Sequence, residues 1–169
     1  MKNPTRLYEQ GLEEYPRSSA ILGNLVMLLW IALGTVACWF LLPLLAWIYL
    51  GFALVMVYVV LRKLLCVHCY YYGRWCSIGW GKLCALMFEE GDIHDFHRSI
   101  GQRLAPATYG VLSLVPLILL IVSLVLAFTP SKLVVLLLFL LVCGYSASAG
   151  RKRACAECKM RLTCKGSAA

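Results

Sequence analysis

Six of the nine cysteines in this chain lie in two short segments, each of which follows a long apolar stretch. The segments are "LRKLLCVHCYYYGRWC" (residues 61–76) and "RKRACAECKMRLTC" (residues 151–164), and each contains a C-x2-C pair followed by a third cysteine. A C-x2-C turn can present two thiolates to one metal ion, with Zn–S distances of about 2.3 Å. The predicted metal ligands are Cys66, Cys69, Cys76, Cys155, Cys158 and Cys164, with Cys84 and His68 as further candidates.

Two ligand arrangements fit these residues, and the sequence leaves both open. In the shared arrangement, one tetrahedral zinc is held by the two C-x2-C pairs, and the third cysteine of each segment contributes to a second ion. In the separate arrangement each segment keeps its own ion, which is completed by Cys84 in the first segment and by a histidine in the second. Iron–sulfur clusters are also held by cysteine thiolates, so such a cluster is the alternative cofactor to zinc.

Composition shows what must position these thiols. The chain has 169 residues, is 62% hydrophobic and has a mean hydropathy of +0.79, whereas soluble domains are about 45–50% apolar. A membrane-spanning helix needs about 20 apolar residues, and uncharged stretches cover residues 18–61, 104–131 and 133–150. We therefore predict an all-α, four-helix membrane bundle. Its parts are an N-terminal tail (1–19), a transmembrane hairpin (20–61), a Cys/His-rich segment (62–104), a second hairpin (105–149) and a cysteine-rich tail (150–169).

Charge predicts the orientation of the bundle. Of the 16 lysines and arginines, only Lys132 falls on the side of the membrane opposite to both termini. Cytoplasmic segments carry an excess of lysine and arginine, so both termini and both cysteine segments are expected on the cytoplasmic face of the cell (inner) membrane. Thiols stay reduced in the cytosol, which favours metal binding over disulfides. The net charge of +8 then suits anionic lipid headgroups, and no nucleic-acid partner is expected.

The two halves of the chain resemble each other. Each cysteine segment follows an even-numbered span, and in each an Arg-Lys pair precedes the C-x2-C turn by two residues. We interpret this as an internal repeat of two helical hairpins, related by an axis along the membrane normal.

Other residues receive a structural interpretation. Apolar residues at three- and four-residue spacing from Gly91 to Leu104 predict an amphipathic helix at the membrane interface, with His94 and His97 on its solvated face. Cys38 and Cys143 lie inside spans and are expected to behave as buried apolar groups. The tyrosine triplet Tyr70–Tyr72 and the nearby tryptophans are typical of an interfacial aromatic belt.

The strings "CVHCYYYG" and "CAECKMRLTC" resemble those of a family of small, uncharacterised four-span prokaryotic membrane proteins with paired cytosolic cysteine clusters. The resemblance covers about a quarter of the chain and implies the four-span topology, without an activity.

Three functions fit these features. The first is a non-enzymatic zinc–thiolate protein that serves as a structural or assembly subunit, with protein partners or as a homo-oligomer. The second is an electron-transfer subunit carrying an iron–sulfur cluster. The third is a four-helix thiol–disulfide oxidoreductase, which the expected cytoplasmic position of the thiols disfavours. No nucleotide loop, serine elbow or zinc-hydrolase motif indicates an enzyme, so no catalytic residue is predicted.

Overall fold

The structure, a computed structural model, describes residues 7–168, so Lys2 and Arg6 of the cationic set lie outside the described residues. All regular secondary structure in this range is helical. Four helices are long and apolar enough to cross a membrane, which confirms the prediction of an all-helical, four-span chain. The helices are α1 (Arg17–Trp39), α2 (Pro43–His68), α3 (Trp80–Met87), α4 (Gly101–Leu126) and α5 (Pro130–Ala156), of which α3 is the short one.

The long helices extend beyond the spans that hydropathy predicts. Helix α2 runs to His68 instead of ending near residue 61, α5 runs to Ala156 instead of ending near 149, and α4 begins at Gly101 instead of near 105. Hydropathy falls where charged residues begin, but the backbone ladder continues through them. As a result Cys66 and Cys155 lie on the ends of helices and not in free loops.

The two even-numbered spans share a local geometry. Each begins with a proline at its first turn, Pro43 in α2 and Pro130 in α5. Each then passes through a π-helical segment, Val55–Val60 in α2 and Ser146–Gly150 in α5, before its cysteine turn. Single π-helical turns inside α-helices are frequent at functional sites. The two hairpins therefore agree in backbone features as well as in cysteine spacing.

Helix α1 is the centre of the bundle, since it packs against α2, α4 and α5. A Cβ at Gly34 would come within 2.3 Å of the Tyr49 hydroxyl, so glycine is what allows α1 and α2 to approach here. The Tyr49 hydroxyl in turn donates to the Leu112 carbonyl at 3.0 Å, which links α2 to α4. Cys38 is fully buried in this core and Cys143 is packed against it.

Lys132 lies buried at the end of the bundle away from the termini. Its Nζ donates to the carbonyls of Ser123 at 2.9 Å and Ala127 at 2.7 Å, which are in the last turn of α4 and just beyond it. A cation there satisfies helix carbonyls and complements the helix dipole. A helix-capping role therefore explains why a lysine occurs at this end.

The segment before α4 differs from the predicted amphipathic helix. The structure has a six-residue 3-10 helix, Ile93–Arg98, followed by a break at Ser99. The Ser99 hydroxyl donates to the Leu64 carbonyl and accepts from the Gly101 N–H at 3.1 Å. Side-chain hydrogen bonds of this kind compete with the helical backbone ladder. Phe96 is buried as the pattern indicates, but Ile100 is 71% exposed.

Candidate metal–thiolate centre

Three polar segments meet at one end of the bundle: the N-terminal segment (7–16), the central loop (69–100) and the C-terminal tail (157–168). We call this end the thiol end. Tyr8 N–H donates to the Lys159 carbonyl at 2.8 Å, and Leu12 N–H donates to that of Glu157 at 2.9 Å. Tyr15 N–H donates to the Trp75 carbonyl at 2.8 Å. The N-terminal segment is therefore hydrogen-bonded to both cysteine segments.

Tyr71 is buried where these segments join. Its hydroxyl donates to the Leu12 carbonyl at 2.7 Å and accepts from the Lys159 N–H at 3.1 Å. The ring of Tyr15 packs edge-on against it with ring centres 5.5 Å apart, and the Tyr15 hydroxyl donates to the Ala154 carbonyl at 2.6 Å. Tyr71 thus packs inside the protein instead of forming part of an aromatic belt, because its hydroxyl finds protein partners there.

The two C-x2-C turns have the same backbone geometry. In the first, Cys69 N–H donates to the Cys66 carbonyl at 3.3 Å, and in the second Cys158 N–H donates to the Cys155 carbonyl at 3.2 Å. In both turns the second thiol accepts the N–H of the residue two positions later. Hydrogen bonds to sulfur favour the thiolate form that binds metals.

Four thiols from the two segments lie close enough together to interact electrostatically: Cys69, Cys76, Cys158 and Cys164. Each accepts a backbone N–H, from Tyr71, Trp80, Met160 and Gly166 respectively. Cys155 interacts with Cys158 and Cys164 at the same place. The thiols of the two segments therefore converge.

The converging thiols do not form a complete set of metal ligands in this structure. Among residues 7–168, no three cysteine, histidine or carboxylate side chains are grouped closely enough to hold a metal ion as they stand. The neighbour of Cys66 also differs from the one that the shared arrangement predicts, because the side chain of Cys66 hydrogen-bonds that of Cys84.

Burial governs the protonation of the converging thiols. It raises the pKa of Cys69 to about 12 and that of Cys158 to about 11, and it also raises the pKa of Cys164. Neighbouring thiols raise these pKa values further, since like charges oppose ionisation. These three thiols are therefore neutral near pH 7 by themselves, and a bound cation would supply the charge needed to deprotonate them.

Cys66 and Cys84 form an inner pair beside this group. Cys84 is fully buried, and its thiol donates to the Arg62 carbonyl at 3.8 Å. The hydrogen bond from Cys66 lowers the pKa of Cys84, with a further contribution from the charge of Arg62. Helix α3 brings Cys84 to this position by folding back against α2.

Arg62 is a candidate functional residue that the sequence pattern did not single out. It is 2% exposed, and its guanidinium carbon lies 4.5 Å from the centre of the Tyr58 ring and 5.3 Å from that of the Trp80 ring. Its Nε and Nη2 atoms have no hydrogen-bond partner among the described residues. The side chains close enough to Arg62 to interact with it electrostatically include Cys66, Cys84 and Cys76. The available signal was its place four residues before Cys66, on the same helix face.

The histidines are not part of a metal-holding group within residues 7–168. Nδ1 of His68 is 3.0 Å from the Asp92 carbonyl, and the ring occupies the space where a Cβ at Gly91 would be. His68 thus packs the central loop. His94 and His97 are exposed, and neither joins a group able to hold a metal within residues 7–168.

Comparison with other proteins does not identify a family for this chain. The chain matches no protein-family model, no curated protein and no solved structure. A function for the chain must therefore be argued from the converging thiols and from the buried arginine.

Proposed function

We propose that this chain is a membrane metal–thiolate protein, with zinc as the metal, that acts as a structural or assembly subunit of a membrane complex. The single observation that carries the proposal is the convergence of Cys69 and Cys76 with Cys158 and Cys164. Four sulfur ligands in tetrahedral geometry are the usual set for a structural zinc ion. The ion would tie α2 and α5 together at the thiol end.

Charge balance supports the proposal. Four thiolates around a divalent ion leave a net charge of about −2, which a buried site must offset. The guanidinium of Arg62 is buried without a carboxylate partner among the described residues, and an unpaired buried charge costs several kcal/mol. A thiolate centre beside Arg62 would remove both costs, because each charge would compensate the other.

The inner pair fits a second role in the same centre. Cys66 and Cys84 lie next to Arg62, and Cys66 is also within electrostatic range of Cys76. They can supply two ligands to a second ion, with Cys155 as the additional thiol on the tail side. Six or seven thiolates suit one or two ions, as the sequence indicates.

We place the thiol end in the cytoplasm of a cell with this protein in its inner membrane. The argument is the distribution of lysine and arginine: among residues 7–168, Lys132 alone lies at the other end of the bundle. In that compartment the thiols would stay reduced and available to a metal.

The subunit role is supported by the exposure of α5. Only 6% of its most apolar window is buried, against 22–28% for the other three spans. Its segment 144–150, "GYSASAG", is almost entirely exposed and rich in small residues. Small residues allow close approach of helices in membranes, so this helix can pack against a partner subunit or a second copy.

Metal analysis of the purified full-length protein tests the proposal. We expect about one or two zinc ions per chain by mass spectrometry of the metal, and loss of most of the shared ion in both Cys69→Ser and Cys158→Ser. The matched control is Cys143→Ser, which changes a thiol within the spans, bonded to Trp30 and Ser113, and should keep the metal.

Each other outcome has a defined meaning. Iron with acid-labile sulfide and a brown colour would replace zinc by an iron–sulfur cluster on the same thiols. Disulfides between the cysteine segments in metal-free protein, purified without oxidant, would instead favour the thiol–disulfide oxidoreductase. Metal loss in only one of the two serine variants would contradict a shared ion.

A further inference from the structure

A cleft of about 330 Å³ opens between the chain that leads into α4 and the C-terminal tail. The residues lining it are His97, Arg98, Ser99, Ile100, Arg103 and Lys165. Lys165 N–H donates to the Gln102 side-chain oxygen at 3.1 Å, which holds the tail against the first turn of α4. The cleft is therefore built from two segments that are distant in sequence.

The charge in the cleft is of one sign. Arg98, Arg103 and Lys165 line it, and none of the three forms an ion pair with a carboxylate among residues 7–168. The acidic residues of the preceding turn, Asp92 and Asp95, are not part of the lining. Three unpaired cations around one cavity form a region of positive potential that attracts anions.

The depth of the cleft points to the source of the anion. Helix α4 has 26 residues and is about 39 Å long at 1.5 Å per residue, whereas the hydrocarbon core of a bilayer is about 30 Å thick. Its first turns, and the cleft beside them, therefore lie at the level of the lipid headgroups. Ile100 is 71% exposed on the rim of the cleft, where an acyl chain would meet it.

We propose that this cleft binds the phosphate group of an anionic phospholipid. Arg98 and Arg103 contact the phosphate, and arginine suits this role because its planar guanidinium can bind phosphate through two N–H groups. Lys165 contributes a third cation from the tail, so a bound lipid bridges the tail and α4. Ile100 lies against the acyl chains. This inference is independent of any metal, because none of these residues is a proposed metal ligand.

Lipid retention tests the proposal. The full chain is purified in detergent and mixed with phosphatidylglycerol and phosphatidylcholine in equal amounts, and bound lipid is counted by native mass spectrometry. We expect one phosphatidylglycerol to be retained preferentially by the wild type. Since each cation near an anionic lipid contributes about fivefold in binding, the triple variant R98Q/R103Q/K165Q should lose about a hundredfold.

The matched control removes the same charge elsewhere on the protein. Lys63, Lys82 and Lys152 are exposed and none lines the cleft, so K63Q/K82Q/K152Q should change retention by less than about twofold. Equal losses in the two triple variants would overturn the proposal and assign lipid binding to net charge. Displacement of the lipid by millimolar inorganic phosphate would also overturn it, since the cleft would then be a site for free phosphate.

Two milder variants test the proposal even if the triple variant does not fold. R98K/R103K keeps the charges and should retain phosphatidylglycerol within about threefold, because lysine also binds phosphate as a point charge. K165Q removes one exposed tail cation and should lower retention about fivefold without unfolding the protein. Unchanged retention in K165Q would contradict the bridging of tail and helix.

Discussion

The two C-x2-C turns share a backbone geometry and differ in what holds them in place. The central turn is braced by its own loop, in which Gly73 N–H donates to the Gly81 carbonyl at 3.1 Å and the Tyr72 hydroxyl donates to that of Phe88 at 2.7 Å. Within residues 7–168 the tail turn has no such loop, and the N-terminal segment braces it through Tyr8 and Leu12. The central turn is therefore braced within its own loop, whereas the bonds from Tyr8 and Leu12 tie the tail turn to a segment nearly 150 residues away.

The arginines before the two turns show the same contrast. Arg62 and Arg151 each precede the first cysteine of their turn by four residues. Arg62 is buried between two aromatic rings, while Arg151 is exposed and its Nε donates to the Gly166 carbonyl at 3.1 Å. Trp80 of α3 covers Arg62, and the tail has no counterpart to α3 among the described residues. The repeated sequence thus determines the backbone geometry of each turn, whereas the element packed against the turn determines how deeply its arginine is buried.

The largest effect is expected from Gly81→Ala, which breaks the brace of the central turn. A Cβ at this position would lie 1.9 Å from the Tyr71 carbonyl oxygen and 2.4 Å from that of Arg74. Because backbone atoms would have to move, we expect the free energy of unfolding to fall by about 3 kcal/mol or more. Chemical denaturation in mixed micelles measures this.

Two further glycines calibrate that result. At Gly11 a Cβ would lie 2.8 Å from the Lys159 backbone nitrogen, so Gly11→Ala should weaken the brace of the tail turn by a smaller amount. At Gly51 of α2 a Cβ would meet nothing within 4 Å, and Gly51→Ala should stabilise the helix by about 0.5 kcal/mol. A cost at Gly11 equal to that at Gly81 would contradict the contrast between the two turns.

The next largest effect on stability is expected at Arg62 and not at Arg151, and its sign should depend on whether metal is bound. With metal bound, Arg62→Met should lower the free energy of unfolding by about 3 kcal/mol, because it removes the partner of a buried negative centre. After chelation the same variant should be more stable than wild type by about 1 kcal/mol or more, because an unpaired buried cation has been removed. Denaturation with and without chelator measures both values.

Arg151→Met is the matched control for that experiment. Since Arg151 is exposed, its replacement should change stability by less than about 0.5 kcal/mol in either condition. Destabilisation by Arg62→Met in both conditions would show that packing between Tyr58 and Trp80, and not charge compensation, is what Arg62 provides.

The sequence predicts the parts of this molecule that depend on local pattern. The uncharged stretches predict the four spans, and the cysteine spacing predicts two equivalent turns. The ends of α2 and α5 could not be predicted by hydropathy, because helical hydrogen bonds continue through Arg62 and Arg151. The pairing of Cys66 with Cys84, and the burial of Arg62 and Tyr71, depend on how α3 and the N-terminal segment pack. No periodicity in the sequence reports that packing.

A smaller effect is expected at Tyr71, whose hydroxyl links the central loop to the N-terminal segment and to the tail. Tyr71→Phe would leave the Leu12 carbonyl and the Lys159 N–H without the bonds that the hydroxyl provides. A buried polar group that loses its partner costs about 1–3 kcal/mol, so we expect a loss near 2 kcal/mol. Tyr8→Phe is the control, because in the described part of the chain its hydroxyl bonds only the exposed Gln10 side chain. Similar losses in the two variants would contradict a joining role for Tyr71.

The smallest effect concerns Glu13, an exposed carboxylate of the N-terminal segment that bonds Lys159 of the tail and accepts from Arg74 of the central loop at 3.5 Å. Bonding to Lys159 holds the pKa of Glu13 below its ordinary value of 4.5. A carboxylate with a lowered folded-state pKa stabilises the fold above its unfolded pKa, and this contribution is lost as the pH falls through the folded value.

Glu13→Gln should therefore speed hydrogen exchange of residues 8–15 at pH 7 and have little effect near pH 3. Glu9→Gln, at an exposed carboxylate for which no hydrogen bond is found within residues 7–168, should leave exchange unchanged at both pH values. Because solvent screens an exposed ion pair, 1 M salt should also reduce the effect of Glu13→Gln, and a difference from wild type that persisted at pH 3 would show that the ion pair is not its cause.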